Sequence, residues 1–246
     1  MDAIDYKNEV KFRKASLVRM PIRLGEDVFT GKAVPQKKID QLLHAMLAFK
    51  HLMFTYNTLA YKAYATAALR EASNKTEVLK TLEEFSGINI EIIDGKREAE
   101  IIYLNQIKKI LDNKKKYLYV DVGGGSTEIT FFSDNKVSAD DSFKIGTVRL
   151  LHKMVKKEEI LRMEKRIKSI CSSHNDIEII GSGGNINKLI KISKKKQKSM
   201  NYDELEERLD YISKYSYEDR IKKLGMKPDR ADVIIPAGGI FKDIMQ

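Results

Sequence analysis

Apolar positions along this chain alternate between short runs of strand character and longer runs of helical period. After Pro35, Ile39, Leu42, Leu43, Met46, Leu47 and the stretch Phe49–Met53 recur at helical spacing and predict a long amphipathic helix. Leu59–Thr66 reads as a strand leading into a short helix at Ala67–Glu71, and Thr76–Phe85 reads as a helix stopped by Ser86-Gly87. Ile88, Ile90 and Ile92 alternate as a short strand ending at Asp94-Gly95, and Glu98–Leu111 follows as a helix. Farther on, Tyr117–Asp121, Glu128–Phe132 and Ile177–Ile180 are predicted strands, with a helix over Asn185–Ile192. Val233–Ile235 reads as one more strand, running into Pro236-Ala-Gly-Gly239. Strands alternating with helices predict an α/β architecture. The basic stretch Asn113–Lys116 marks a passage between two lobes, residues 1–113 and 117–246, because nearly all glycine-rich segments lie after it. Ser193–Ser199 is a charged, low-complexity run that reads as a loop.

Composition narrows the class. The chain has 246 residues, 42% hydrophobic and 33% charged, which is a globular balance. No apolar run approaches the roughly 20 residues of a membrane span. The polar N-terminus is not a signal peptide. A single cysteine, Cys171, excludes an internal disulfide and fits a reducing cytoplasm. His44 and His51 share a helix face but lie about two turns apart, too far for one metal ion. The net charge of +10, with lysine clusters at 108–109, 114–116, 156–157 and 194–196, suits either a solvated surface or a polyanionic partner. Nucleic acid is the weaker such partner, since no base-reading motif or interleaved aromatics occur.

The segment that carries chemistry is Tyr117–Phe132. An apolar strand ends in a carboxylate, Asp121; then come Gly123, Gly124, Gly125, two hydroxyls (Ser126, Thr127), a second carboxylate (Glu128) and another apolar strand. Glycines let several backbone amides converge on an anion. Carboxylates beside such a nest would repel bare phosphate, so they make sense with a cation or a water to activate, and this points to Mg²⁺-assisted phosphate chemistry. The loop lacks the Gly-Lys-[Ser/Thr] of a Walker A loop and opens no helix, as a dinucleotide fingerprint would. It joins two antiparallel strands instead. A second loop, Gly181-Ser182-Gly183-Gly184, does open a helix and offers an anion or nucleotide seat. Arg70 has the planar fork that matches phosphate oxygens, with Thr66 and Asn74 as lesser candidates nearby, and Arg149 reads as structural. Glu98 starts a helix after a glycine turn, where a carboxylate suits the dipole and can face a cleft.

Together, seven segments resemble the exopolyphosphatase / guanosine pentaphosphate phosphohydrolase family. They are Arg23–Val28, Ala65–Ala72, Gly95–Tyr103, Asp121–Glu128, Gly146–Leu150, Gly181–Asn185 and Arg230–Pro236. The resemblance implies an actin-like (ribonuclease H-like) two-lobed α/β fold, with a mixed sheet flanked by helices in each lobe. It implies release of terminal phosphate from polyphosphate or a hyperphosphorylated guanine nucleotide, with Glu98 activating water and Mg²⁺ held by Asp121 and Glu128. A homodimer is implied as well. Family members open with an Asp-x-Gly-Ser-Asn-like hairpin loop that forms the other jaw around phosphate. Here no glycine precedes Gly25, Ala3-Ile4-Asp5 stands as a trace of the first strand, and the chain stops at Gln246 where relatives add a strand and a helix. A polyanion-binding or regulatory homologue with impaired turnover is therefore the alternative. A sugar-kinase-like phosphotransferase is a third reading, for which no acceptor-sugar pocket is legible.

Overall fold

The computed structural model describes residues 2–6, 9–13, 16–102, 112, 115–134, 136–174, 176–192 and 199–246. Its centre is a sheet of β5 (Lys116–Val122), β6 (Thr127–Ser133), β7 (Lys136–Phe143) and β8 (Ile177–Ser182), ordered β7-β6-β5-β8. β5 runs antiparallel to β6 and parallel to β8, and β6 runs antiparallel to β7 with a bulge beside Phe131/Phe132. Side chains alternate faces along each strand. Leu118, Val120, Val122, Ile129, Phe131 and Phe143 enter the larger core on one face. Tyr117, Tyr119 and Phe132 cluster on the other, against Ile180 and against Ile102 of α5 (Gly95–Ile102). Covering both faces explains why β5 reads as a nearly unbroken apolar run.

The larger core is closed by α7 (Lys157–Ser173), α8 (Gly184–Ile192), α9 (Tyr202–Ser213) and α12 (Ile234–Met245). Between them run α6 (Thr147–Leu151), α10 (Tyr217–Lys222) and α11 (Pro228–Ala231). The strand expected at Val233–Ile235 is instead the start of α12. A β-branched triplet misleads in a short window, but Ile234, Ala237, Phe241 and Ile244 are all buried at helical spacing. Pro236 sits in the first turn, where its missing N–H costs no helical bond. A Cβ on Gly238 would lie 2.2 Å from Leu209 Cδ2, so glycine lets α12 lie close on α9.

A second core joins α1 (Leu24–Gly31), α2 (Gln36–Thr55), β3 (Tyr64–Ala65), α3 (Ala67–Glu71) and α4 (Lys75–Ser86), with Val28, Phe29, Leu42, Leu69, Val78 and Leu82 buried. Gly87 ends α4 in the left-handed region at φ 72°, its N–H on the Glu83 carbonyl, as the Ser86-Gly87 stop predicts. The strand expected over Leu59–Thr66 contracts to Tyr64–Ala65. Only there does it meet β4 (Glu91–Ile92), in parallel, while Leu59 stands fully in solvent. The long N-terminal helix begins after Pro35 as expected. Ala3-Ile4-Asp5 lies within β1 (Asp2–Tyr6), which pairs antiparallel with β2 (Glu9–Arg13) as a separate sheet. Lys7 and Asn8 lie outside the described residues, as do 103–111 of the expected helix, Lys114 and the Ser193–Lys198 run. Among the described residues no helix is long and apolar enough to cross a membrane.

Phe241, 2% exposed, packs into the larger core from α12. Phe241→Ala is expected to lower unfolding free energy by about 3–5 kcal/mol, read from urea denaturation. An unchanged midpoint would mean that α12 is not part of that core.

Candidate active site

Pairing register builds the site. Asp121 lies directly opposite Glu128, Glu128 opposite Ser142, and Asp121 opposite Ser182. Because directly paired residues share a face, the sheet carries one polar row, Ser142–Glu128–Asp121–Ser182. Two hydroxyls hold Glu128: Ser126 Oγ donates to its Oε1, and Ser142 Oγ donates to the same oxygen at 3.1 Å. Burial raises the proton affinity of Glu128, with Asp121 adding to it, while the hydroxyls and Arg70 oppose. Burial likewise raises Asp121, opposed by Tyr119.

Glu98 comes to this row from α5. Gly95 brings the start of that helix close: a Cβ there would lie 2.9 Å from Ser142 Cβ and 4.0 Å from Glu128 Cγ. Burial, then Glu128, then Asp121, pushes Glu98 up to about 7, with Arg70 pulling the other way. Arg70 is anchored by Nη1 to the Ile93 carbonyl at 2.7 Å, immediately before α5. The structure therefore brings Glu98, Asp121, Glu128 and Arg70 into one electrostatic unit. Three mutually repelling carboxylates and one guanidinium leave a net negative site, which suits a cation or a shared proton.

The glycine loop is held by its carbonyls. Thr147 N–H donates to Gly123 O at 3.0 Å, Val148 N–H to Gly124 O at 2.9 Å, and Arg149 Nε to Gly125 O at 2.7 Å. Thr127 Oγ1 donates to the Ile145 carbonyl. The amides of Gly124, Gly125 and Ser126 have no acceptor among the described residues, so donors remain for an anion. Glycine is required here for close approach rather than for left-handed backbone. A Cβ on Gly125 would lie 2.1 Å from Phe29 Cζ, and one on Gly146 would lie 2.3 Å from Gly124 O. Arg149 also pairs with Glu71 and lies 4.3 Å over the Phe29 ring, fastening the loop to α1 and α3.

The second loop abuts the first. Gly183, at φ 97°, faces Asp121: a Cβ there would lie 3.5 Å from Oδ1. Gly184 opens α8, and a Cβ on it would meet the Arg230 guanidinium at 2.3 Å. Gly123, Gly124, Gly184 and Arg230, with Arg19 and Arg23, line a cleft of about 300 Å³. Arg19 pairs with Asp229, and Arg23 with Asp232 at 2.7 Å. Arg230 closes no salt bridge among the described residues, although its charge is felt by Asp229. Gly181 lies deeper, against Ile186 and Phe241, and serves packing.

The Ppx/GppA phosphatase family model matches residues 4–246, nearly the whole chain. The chain belongs to the Ppx/GppA phosphatase family. The protein is 26% identical over 91% of its length to a Fusobacterium nucleatum protein described as a bifunctional 3-dehydroquinate synthase/phosphatase, covering 37% of that relative. The chain spans about two-fifths of the length of the curated relatives it matches, 37% to 40%. Several solved structures share its fold. An exopolyphosphatase from Cytophaga hutchinsonii has a TM-score of 0.78 at 20% identity, covering 91% of this chain and 79% of that one. The Aquifex aeolicus Ppx/GppA family member has a TM-score of 0.71 at 24% identity, covering 97% and 83%. The helix-flanked mixed sheet expected from the sequence is the arrangement found.

Within this Ppx/GppA chain several residues read as site candidates also make structural bonds. Asn74 bonds both the N–H and the carbonyl of Val34 at 2.9 Å, so it ties two segments of the smaller core. Thr66 caps the start of α3 without a side-chain bond. Ser126 and Thr127 spend their hydroxyls on Glu128 and the Ile145 carbonyl, leaving the loop amides as the donors free for an anion. Sequence reading missed Ser142, Tyr119, Glu71, Arg19 and Arg23. β7 had no strong apolar pattern, and long-range ion pairs leave no local signal.

In the ligand-free protein, Glu98 is expected to titrate near 7 by carboxyl-carbon NMR, not near 4.5. Glu128→Gln should move that titration downward, because removing a neighbouring negative charge makes ionisation easier. No shift would separate the two carboxylates.

Proposed function

We propose that this chain is a Mg²⁺-dependent phosphohydrolase that removes the terminal phosphate of polyphosphate or guanosine pentaphosphate. The observation that carries this reading is the coupling of Glu98 to the Asp121–Glu128 pair, beside free loop amides. A carboxylate that titrates near 7 is suited to take a proton at neutral pH. Family membership and the likeness to an exopolyphosphatase support the substrate class.

In this mechanism the amides of Gly124, Gly125 and Ser126 hold the terminal phosphoryl group, and Arg70 draws charge from its oxygens. Glu98 accepts a proton from a water as that water's oxygen bonds to phosphorus. The bridging P–O bond breaks, and its electron pair leaves with the shortened chain. Positioning and charge neutralisation supply most of the rate in such displacements. Among the described residues no cluster of three His, Cys, Asp or Glu side chains is placed to hold a metal. Two carboxylates are nevertheless a fitting set for Mg²⁺, which commonly takes one or two and fills its shell with water and phosphate oxygens. Bound by Asp121 and Glu128, it would supply neutralisation of the phosphate charge. The remaining phosphates would run into the cleft toward Arg230 and the α8 N-terminus.

Purified protein incubated with Mg²⁺ and polyphosphate is expected to release phosphate, faster as pH rises because the base must be unprotonated. Glu98→Gln should lower kcat by roughly 10²–10⁴ while polyphosphate still binds, and EDTA should stop release. Equal background release by both proteins would leave the binding homologue as the correct reading.

A further inference from the structure

The two carboxylates of the polar row are not supported alike. Glu128 is oriented by the hydroxyls of Ser126 and Ser142. At Asp121 the side-chain donor that acts is the Tyr119 hydroxyl, two positions back on the same face of β5. The Tyr119 ring is pinned in the aromatic cluster, 3% exposed, with Tyr117, Phe132, Ile102 and Ile180 around it. Its hydroxyl is buried beside Asp121 and Ser182 and completes a well-formed bond to neither.

Phenylalanine would fill that space equally well. Burying a hydroxyl without a partner is unfavourable, so the extra oxygen calls for a use. We propose that Tyr119 is a positioning residue for Asp121, its hydroxyl donating to the carboxylate and turning the other oxygen toward a bound divalent cation. The inference rests on the Mg²⁺-dependent reading above. Carboxylates that ligate metals are generally hydrogen-bonded in this way, and loss of such a partner costs about 10- to 100-fold in metal affinity. Thr130, directly across from Tyr119, provides the contrast: its hydroxyl is also buried and unpartnered, but it does not act on Asp121.

The test is Mn²⁺ titration of the full chain, with free Mn²⁺ read by electron paramagnetic resonance, for wild type, Tyr119→Phe and Thr130→Val. Thermal unfolding of each variant checks that it is folded. Tyr119→Phe is expected to bind Mn²⁺ about 10- to 100-fold more weakly, and Thr130→Val as wild type does. In the phosphate-release assay, Tyr119→Phe should raise the Mg²⁺ concentration for half-maximal rate and approach wild-type kcat at saturation. Unchanged Mn²⁺ affinity in Tyr119→Phe overturns the inference and leaves metal-dependent hydrolysis standing. Equal loss in both variants also overturns it, since general loosening would then explain the effect. Wild type that binds no Mn²⁺ overturns both this inference and the metal reading.

Discussion

The arrangement depends on one unfavourable pairing, Asp121 directly across from Glu128 on neighbouring antiparallel strands. Like charges opposite one another destabilise a sheet, and burial on a face covered by α5 makes each carboxylate harder to ionise. Neither has a salt-bridge partner among the described residues. A pairing that weakens the sheet at its centre needs a compensating occupant, whether proton or cation. Glu98, brought to the same place from α5, adds to the imbalance. Repulsion stored this way is released when positive charge enters, whether as a proton or as a cation.

What keeps this site in shape is close backbone approach. Gly125 lies against the buried Phe29 ring, Gly146 lies on the Gly124 backbone, and Arg149 crosses between them to Glu71. Any side chain at these glycines would part the loop from α1 or α6. The loop carbonyls are spent on Thr147, Val148 and Arg149, which turns the unpaired amides toward the open side. The ion pairs Arg19–Asp229 and Arg23–Asp232 add attachments near the cleft. Partly exposed pairs of this kind contribute modestly, so shape is set mainly by packing.

Legibility followed the range of each interaction. Asp121, Glu128, Gly123–Gly125 and the strand–loop–strand character of 117–132 were evident locally, because one hairpin contains them all. The α4 stop at Gly87 and the helix after Gly184 were equally local. Val233–Ile235 failed because three β-branched residues outweigh helical period in a short window, and only packing on Leu209 reveals α12. The Leu59–Thr66 strand failed because a strand exists only where a neighbour completes its ladder. Ser142 was unreadable because its role arises from register across β6 and β7.

The amino-acid order by itself determined the family, the glycine loop and its two carboxylates, since these reside in contiguous residues whose backbone freedom and charge need no distant partner. Tertiary structure alone decided that Glu98 and Arg70 feel the charges of the row at Asp121 and Glu128, that the Tyr119 hydroxyl is buried, and that Asn74 bonds to Val34. Each of those outcomes depends on which surfaces meet when helices and strands pack, and on the low dielectric that their burial creates.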